Sequence, residues 1–220
     1  MGNWIELDSG HGAVAGWRAD ATGASRGALV VVQEIFGVNA HIRGVVDRFA
    51  AAGFTAIAPA LFDLVERGVA LDYDEAGIGK GRELTALLGF ERAVGLVGAA
   101  GGLLQAEGLR VGAVGFCWGG TVAFLANTRL GLPAASYYGA RTVPFLDEPA
   151  LAPMLFHFGQ RDTLIPAEAV LAHRARQPAA SIHTYPAGHG FHCEARSDFD
   201  PDSAALAWQR TTEFFDEALR

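Results

Sequence analysis

Short apolar runs alternate with longer amphipathic segments along the chain. Continuous apolar runs are typical of strands covered on both faces, whereas apolar positions spaced three or four residues apart are typical of helices. The pattern predicts strands at 4–7, 13–18, 28–32, 54–58, 109–114, 133–138, 154–158 and 181–185, with the first two forming a hairpin. It predicts helices at 42–52, at 90–106, from the glycine at 115 to 127, at 166–176 and at 202–219.

This alternation predicts an α/β fold with a mostly parallel sheet and helices on both faces. No repeat or low-complexity linker divides the 220 residues, so we expect a single domain over 1–220. Residues 61–82 fit neither pattern and are interpreted as an irregular lid or binding loop. Within them, the glycine-rich segment 77–81 follows no predicted strand, so it is interpreted as a loop rather than a phosphate-binding motif.

Composition and charge exclude several classes of function. Half of the residues are hydrophobic and the net charge is −7, which indicates a globular protein without the basic face of a nucleic-acid binder. Two cysteines make no disulfide framework. The first residues lack the basic region of an export signal, and the apolar run 93–104 is too short to span a bilayer. We therefore expect a cytoplasmic protein without a membrane partner.

A candidate nucleophile lies between a predicted strand and a predicted helix. Gly115-Phe116-Cys117-Trp118-Gly119 has the G-x-nucleophile-x-G pattern, with cysteine in the central position. Such a turn exposes the Cys117 sulfur above the carboxyl ends of the strands and places it at a helix N-terminus, which favours the thiolate. The alternative is a buried structural cysteine in a glycine-rich turn. The strand before it and the helix after it favour the nucleophile.

A candidate acid and a candidate base follow later strands. Asp162 and His189 each come just after a predicted strand and complete the order nucleophile, acid, histidine. Because open α/β sheets place their sites at the carboxyl ends of strands, we expect the three side chains to meet. Taken alone, Asp162 could be a helix cap and His189 a surface histidine. His157 and His183 fall inside strands and are predicted to be packing residues.

A metal site is the competing interpretation of the histidine-rich segment. His189, His192 and Cys193 lie close together in sequence, with His183 nearby. Their spacing completes no common ligand set. We therefore predict no metal.

Four motifs together resemble the dienelactone hydrolase family of α/β-hydrolases, over nearly the whole chain. They are Gln33-Glu34-Ile35-Phe36-Gly37-Val38-Asn39, the cysteine turn at 115–120, the turn from Gly159 to Asp162, and Gly188-His189-Gly190-Phe191. The resemblance implies the α/β-hydrolase fold, the opening of dienelactone to maleylacetate, and no metal or organic cofactor.

The resemblance also implies roles for individual residues. Cys117 would be the nucleophile, His189 the general base and Asp162 its orienter, with an oxyanion hole formed by the N–H groups of Ile35 and Trp118. Glu34 would keep the resting thiol neutral and protected. The alternative for Glu34 is a carboxylate that complements the start of the following helix.

Substrate binding is where the sequence departs from the family. The family's type enzyme holds a substrate carboxylate with one arginine in the lid and one arginine four residues after the catalytic histidine, where this chain has Cys193. Arg196 is the expected substitute, with Arg82 or Arg67 supplied by the lid. The expected substrate-binding residues are Arg196, Arg82, Phe36 and Phe191.

The leading hypothesis is a cysteine-dependent hydrolase of a small ester or lactone, expected to be anionic, acting as a monomer or weak homo-oligomer. One alternative is a carboxylesterase with broad specificity for small esters. Two others are a ligand receptor on the same fold and a redox sensor that pairs Cys117 with Cys193.

Overall fold

The computed structural model describes residues 1–10 and 12–220, which are organised around one eight-stranded sheet. Its strands are β1 (Asn3–Asp8), β2 (Ala13–Ala19), β3 (Ala28–Val32), β4 (Thr55–Pro59), β5 (Val111–Phe116), β6 (Ala134–Tyr137), β7 (Met154–Gly159) and β8 (Ser181–Tyr185). The strand order is β1-β2-β4-β3-β5-β6-β7-β8. The β1–β2 and β2–β4 pairs are antiparallel and all others are parallel. The predicted α/β-hydrolase fold class is confirmed, and each predicted strand is present.

In the described residues, five helices pack against the sheet. They are α1 (Ala40–Ala51), α2 (Glu75–Ala106), α3 (Trp118–Leu130), α4 (Ala167–Arg176) and α5 (Pro201–Ala218). All residues of the central strands β3 and β5 are buried, which explains their unbroken apolar sequences. Because β3 to β8 run parallel to one another, their carboxyl ends lie at one edge of the sheet. The candidate site residues follow β3, β5, β7 and β8 at this edge.

The segment 61–82 differs from its prediction as an irregular lid. A short 3₁₀ turn covers Leu61–Leu64, and α2 begins at Glu75 rather than at residue 90. The Asp74 side chain caps the helix by accepting a hydrogen bond from the Gly77 N–H at 2.7 Å. The glycine-rich segment 77–81 is thus helical, and its interpretation as a loop is wrong. Its glycines weaken the helical signal in the sequence. A Cβ at Gly77 would lie 2.1 Å from the Asp72 carbonyl oxygen, so the helix packs closely against the backbone there.

By length and composition alone, α2 could cross a bilayer. Core helices pass the same test, and 44% of its most apolar window is buried. The helix packs against β3, β5 and α3, and it is interrupted at Gly89, whose φ of 73° is not helical. The break leaves two helical halves, of which the first lies beside the loop after β3.

Candidate active site

The turn between β5 and α3 holds Cys117 in a strained backbone conformation. Its φ is 55° and its ψ is −119°, a combination that costs energy for any residue other than glycine. A Cβ at Gly115 would lie 1.9 Å from the Gly119 carbonyl oxygen, and a Cβ at Gly119 would lie 2.2 Å from the Gln33 carbonyl oxygen. Only glycine fits at both positions. The turn therefore places the sulfur at the N-terminus of α3, partly exposed to solvent.

Cys117, His189 and Asp162 form a continuous chain of contacts. The Cys117 sulfur is 3.1 Å from His189 Nε2, and His189 Nδ1 is 2.8 Å from Asp162 Oδ2. The second oxygen of Asp162 accepts a hydrogen bond from the Leu164 N–H at 2.8 Å, which fixes the carboxylate. His189 and Asp162 are both buried. This arrangement can remove a proton from a thiol and return it to a leaving group.

The imidazole of His189 is held in its charged form. Burial opposes the charge, but the adjacent Cys117 and Asp162 outweigh that effect and raise the pKa of His189 to about 10. At neutral pH both ring nitrogens therefore carry protons, so Nδ1–H donates to Asp162 and Nε2–H donates to the sulfur. A donor of this kind stabilises a thiolate.

A cavity of about 210 Å³ opens over the sulfur. Its wall has an apolar part and a cationic part, and its lining residues are Ile35, Arg82, Thr85, Cys117, Trp118, Ala140, Arg141 and Leu164. Trp118 is the first residue of α3, so its N–H has no acceptor inside the helix. The two residues expected to supply the oxyanion hole, Ile35 and Trp118, thus line the same cavity as the Cys117 sulfur. The cavity is smaller than a site for a drug-sized ligand, which favours a small acyl group.

A family model for the dienelactone hydrolase family matches residues 14–219. The chain belongs to the dienelactone hydrolase family. It is 33% identical to a carboxymethylenebutenolidase of Pseudomonas putida, over 96% of this chain and 93% of that protein. It is 30% identical to carboxymethylenebutenolidase 1 of Cupriavidus pinatubonensis, over 97% and 96%. A crystal structure assigned as a dienelactone hydrolase of Klebsiella pneumoniae superimposes with a TM-score of 0.86 at 26% identity, with 98% of both chains covered. By family, the chain is a hydrolase of carboxylic esters or lactones.

Glu34, expected to protect the resting thiol, has two other side chains as its hydrogen-bonding partners. Its side chain is fully buried, with Oε2 2.9 Å from the Tyr73 hydroxyl, which donates, and Oε1 3.4 Å from Arg196 Nη1. Within residues 1–10 and 12–220 it makes no hydrogen bond to Cys117, whose sulfur contacts His189 instead. Tyr73 and Arg196 thus both hold the carboxylate. The role of Glu34 in protecting the thiol stays a prediction. Burial and the Glu34 charge raise the pKa of Tyr73, so its hydroxyl stays protonated and continues to donate.

The predicted substrate-binding residues are divided between different places. Arg82 lines the Cys117 cavity. Arg196 and Phe36 line a separate cavity of about 270 Å³ together with Tyr73, and the Arg196 guanidinium is bound to Glu34. Phe191 is fully buried against the rings of tyrosines in the core and lines neither cavity. Arg67 donates to the Ala13 carbonyl oxygen at 2.8 Å, away from the site.

Sequence reasoning missed two residues near the site. Tyr73, which holds Glu34, falls in the stretch interpreted as an irregular lid, and no signal in the sequence marks it. Arg141 lines the Cys117 cavity just after β6. Its position beyond the carboxyl end of a buried strand is the same signal that identified Asp162 and His189.

Two ion pairs connect the loop that carries His189 to α1. His41 Nδ1 lies 3.0 Å from Glu194 Oε2, and Arg48 Nη1 lies 3.0 Å from Glu194 Oε1. Burial disfavours a charged His41, but the adjacent Cys193 and Glu194 raise its pKa to about 9. A charged imidazole therefore pairs with the carboxylate at neutral pH. Cys193, in the middle of this loop, is fully buried.

Proposed function

We propose that the chain hydrolyses small lactones or esters with Cys117 as the nucleophile, His189 as the general acid and base, and Asp162 as the orienting carboxylate. The observation that carries this proposal is the chain of contacts from sulfur to imidazole to carboxylate, 3.1 Å and 2.8 Å long, which begins at a sulfur that lines a cavity. Ile35 and Trp118 supply the N–H groups for the oxyanion.

The reaction proceeds through a thioester. The Cys117 thiolate attacks the acyl carbon, and the developing negative charge on oxygen is stabilised by the two N–H groups. The carbon–oxygen bond to the leaving group breaks, and His189 donates its proton to that oxygen. A water molecule, deprotonated by His189, then attacks the thioester and releases the carboxylic acid and the thiolate. In a lactone the alcohol stays attached to the acyl group, so a dienelactone gives maleylacetate.

A second candidate is a carboxylesterase with broad specificity for small neutral esters. Ile35, Trp118, Ala140 and Leu164 form an apolar wall beside the sulfur that needs no charge on the substrate. This candidate uses the same three catalytic residues. It predicts that phenyl acetate is turned over at least as well as dienelactone.

The test replaces each of the two thiols in turn. Cys117→Ala should reduce hydrolysis of phenyl acetate and of dienelactone to background, a loss of roughly 10⁶-fold in kcat. Cys193→Ala removes the other thiol and should retain most of the activity. Full activity in the Cys117→Ala variant, measured on protein with unchanged circular dichroism, would show that the proposed mechanism is wrong.

A further inference from the structure

Two residues other than glycine have a positive φ in the part of the chain that the structure describes, 1–10 and 12–220. One is the candidate nucleophile Cys117, and the other is Tyr138, with a φ of 41°. Tyr138 directly follows β6 at the carboxyl edge of the sheet. Glycine would adopt this conformation freely, whereas tyrosine is strained in it. Contacts of the Tyr138 side chain therefore have to offset the strain.

Two backbone hydrogen bonds hold Tyr138 in this conformation. Its N–H donates to the His157 carbonyl oxygen of β7 at 2.8 Å. The other side of the same peptide group, the Tyr137 carbonyl oxygen, accepts from the Cys117 N–H at 3.0 Å. The turn after β6 is thus bonded directly to the turn that carries the nucleophile, so the Tyr138 side chain has a fixed position relative to Cys117.

The Tyr138 ring packs against the loop that carries the candidate base. It meets the His189 ring edge to face, with centroids 5.2 Å apart and an angle of 62°. It meets the Phe191 ring in the same way at 5.4 Å. Aromatic rings prefer this arrangement at these separations. Within residues 1–10 and 12–220, no other aromatic ring contacts His189, so Tyr138 alone supports the imidazole from the side.

The hydroxyl of Tyr138 does not account for its place in the site. The residue is fully buried, and its hydroxyl makes no hydrogen bond within the described residues. Burial, with the charges of Glu34 and Cys193, raises the pKa of Tyr138, so the hydroxyl stays neutral and makes no ion pair with His189. An unpaired buried hydroxyl is destabilising. The ring is therefore the part of the side chain that fixes Tyr138 in the site.

The two hydrogen bonds of His189 do not fix its ring completely. They hold Nδ1 at Asp162 and Nε2 at Cys117, and they leave the ring free to tilt about the line that joins the two nitrogens. During the proposed reaction Nε2 leaves the sulfur, gives its proton to the leaving group and then takes one from water. Only the bond to Asp162 lasts through these steps. The contact with Tyr138 restricts the tilt throughout.

We infer that Tyr138 is a positioning residue, whose ring holds the His189 imidazole at the angle from which Nε2 reaches first the Cys117 sulfur and then the leaving group. This inference rests on the proposed function, since it takes His189 as the acid and base. The strained turn after β6 then serves the same purpose as the strained turn at Cys117, which is to fix the geometry of the reacting groups.

The kinetic test separates the ring from the hydroxyl. Tyr138→Leu removes both and should lower kcat for phenyl acetate by roughly 10–100-fold, because a small displacement of a reacting group costs that much. KM should change by about 2-fold or less. Tyr138→Phe restores the ring and should bring kcat to within about 2-fold of the wild type. It should not lower the melting temperature, since it removes an unpaired hydroxyl.

Phe54→Leu is the matched control for the loss of a buried ring. Phe54 is fully buried, but it lies just before β4, at the amino end of the strands, and its ring contacts Phe49. Its replacement should lower the melting temperature and leave kcat unchanged. If Tyr138→Leu does not fold, Tyr138→Met, whose flexible side chain fills the same space without a ring, carries the same expectations.

Proton NMR reads the position of His189 without catalysis. The Nδ1–H bound to Asp162 should give a low-field resonance, assigned by its absence from a His189→Gln variant. The resonance should persist in Tyr138→Phe and Phe54→Leu and be lost in Tyr138→Leu, where a tilting ring lets the proton exchange with water. An unchanged resonance in Tyr138→Leu, or equal losses of kcat in the leucine and phenylalanine variants, would overturn the inference. Loss of the resonance in Tyr138→Leu, with a wild type that hydrolyses no ester, would support the positioning role and contradict the proposed function.

Discussion

At the residue scale, Asp162 is one of two groups, with Cys117, that raise the pH up to which His189 stays protonated. Burial opposes the charge of His189, but the adjacent Cys117 and then the hydrogen bond to Asp162 raise its pKa to about 10. In the proposed mechanism, the imidazolium below that pH stabilises the Cys117 thiolate and protonates the leaving group. As pH rises through about 10 the proton is lost, so kcat/KM should fall at the alkaline end.

We predict that Asp162→Asn moves this alkaline fall to lower pH and reduces kcat by roughly 10²–10⁴-fold at pH 8. The amide cannot stabilise the imidazolium by charge, and it can hold the ring in the wrong tautomer. The measurement is a pH profile of kcat/KM on phenyl acetate. Asp202→Asn, an exposed change in the first turn of α5, is the control and should leave the profile unchanged. An alkaline fall at the same pH in the Asp162 variant would contradict the prediction.

At the element scale, the first half of α2 lies directly against the loop after β3. A Cβ at Gly81 would lie 2.2 Å from the Ile35 carbonyl oxygen, so no side chain fits there unless the backbone moves. Two residues earlier, Gly79 has no neighbouring atom within 4 Å of the same position. Packing of α2 therefore controls where Ile35, and with it one half of the proposed oxyanion hole, is placed.

Gly81→Ala should lower kcat by roughly 10–100-fold, because a displacement of about 1 Å at a donor is enough to cost that much. Gly79→Ala is the matched control on the same helix. It should keep full activity and stabilise the protein by up to about 1 kcal/mol, as alanine is the better helix former. Both are measured by steady-state kinetics well below the melting temperature and by thermal unfolding. Full activity in the Gly81 variant would contradict the role of α2 in placing Ile35.

The same elements explain which parts of the molecule could be predicted from sequence. The strand β3 is predicted correctly because its apolar run is continuous and buried on both faces. The start of α2 is missed because Gly77, Gly79 and Gly81 remove the apolar spacing that marks a helix. The contact between Cys117, Asp162 and His189 could be predicted because all three follow strands whose carboxyl ends lie at the same edge of the sheet. The placement of Tyr73 depends on how the segment before α2 packs over that edge, which no local pattern encodes, whereas Arg141 follows a buried strand and carries the signal that identified Asp162 and His189.

At the scale of the whole molecule, the fold leaves one thiol partly exposed and buries the other. Cys117 is partly exposed at the carboxyl edge of the sheet, whereas Cys193 is fully buried in the loop that His41 and Glu194 hold to α1. A thiolate reacts with iodoacetamide only where the reagent can reach it. Reaction of Cys193 therefore requires that this loop open or that the protein unfold.

We predict that native protein takes up one carbamidomethyl group, at Cys117, and that protein unfolded in urea takes up two. Mass spectrometry of intact and digested protein counts and locates the groups. Cys117→Ala should take up none when native, and Cys193→Ala should take up one in either state. Across a urea titration, modification of Cys193 should follow the loss of near-ultraviolet circular dichroism, because the loop is packed as part of the core. Rapid modification of Cys193 in native protein would instead show that the loop opens independently, and that His189, which it carries, is not held rigidly against the sulfur.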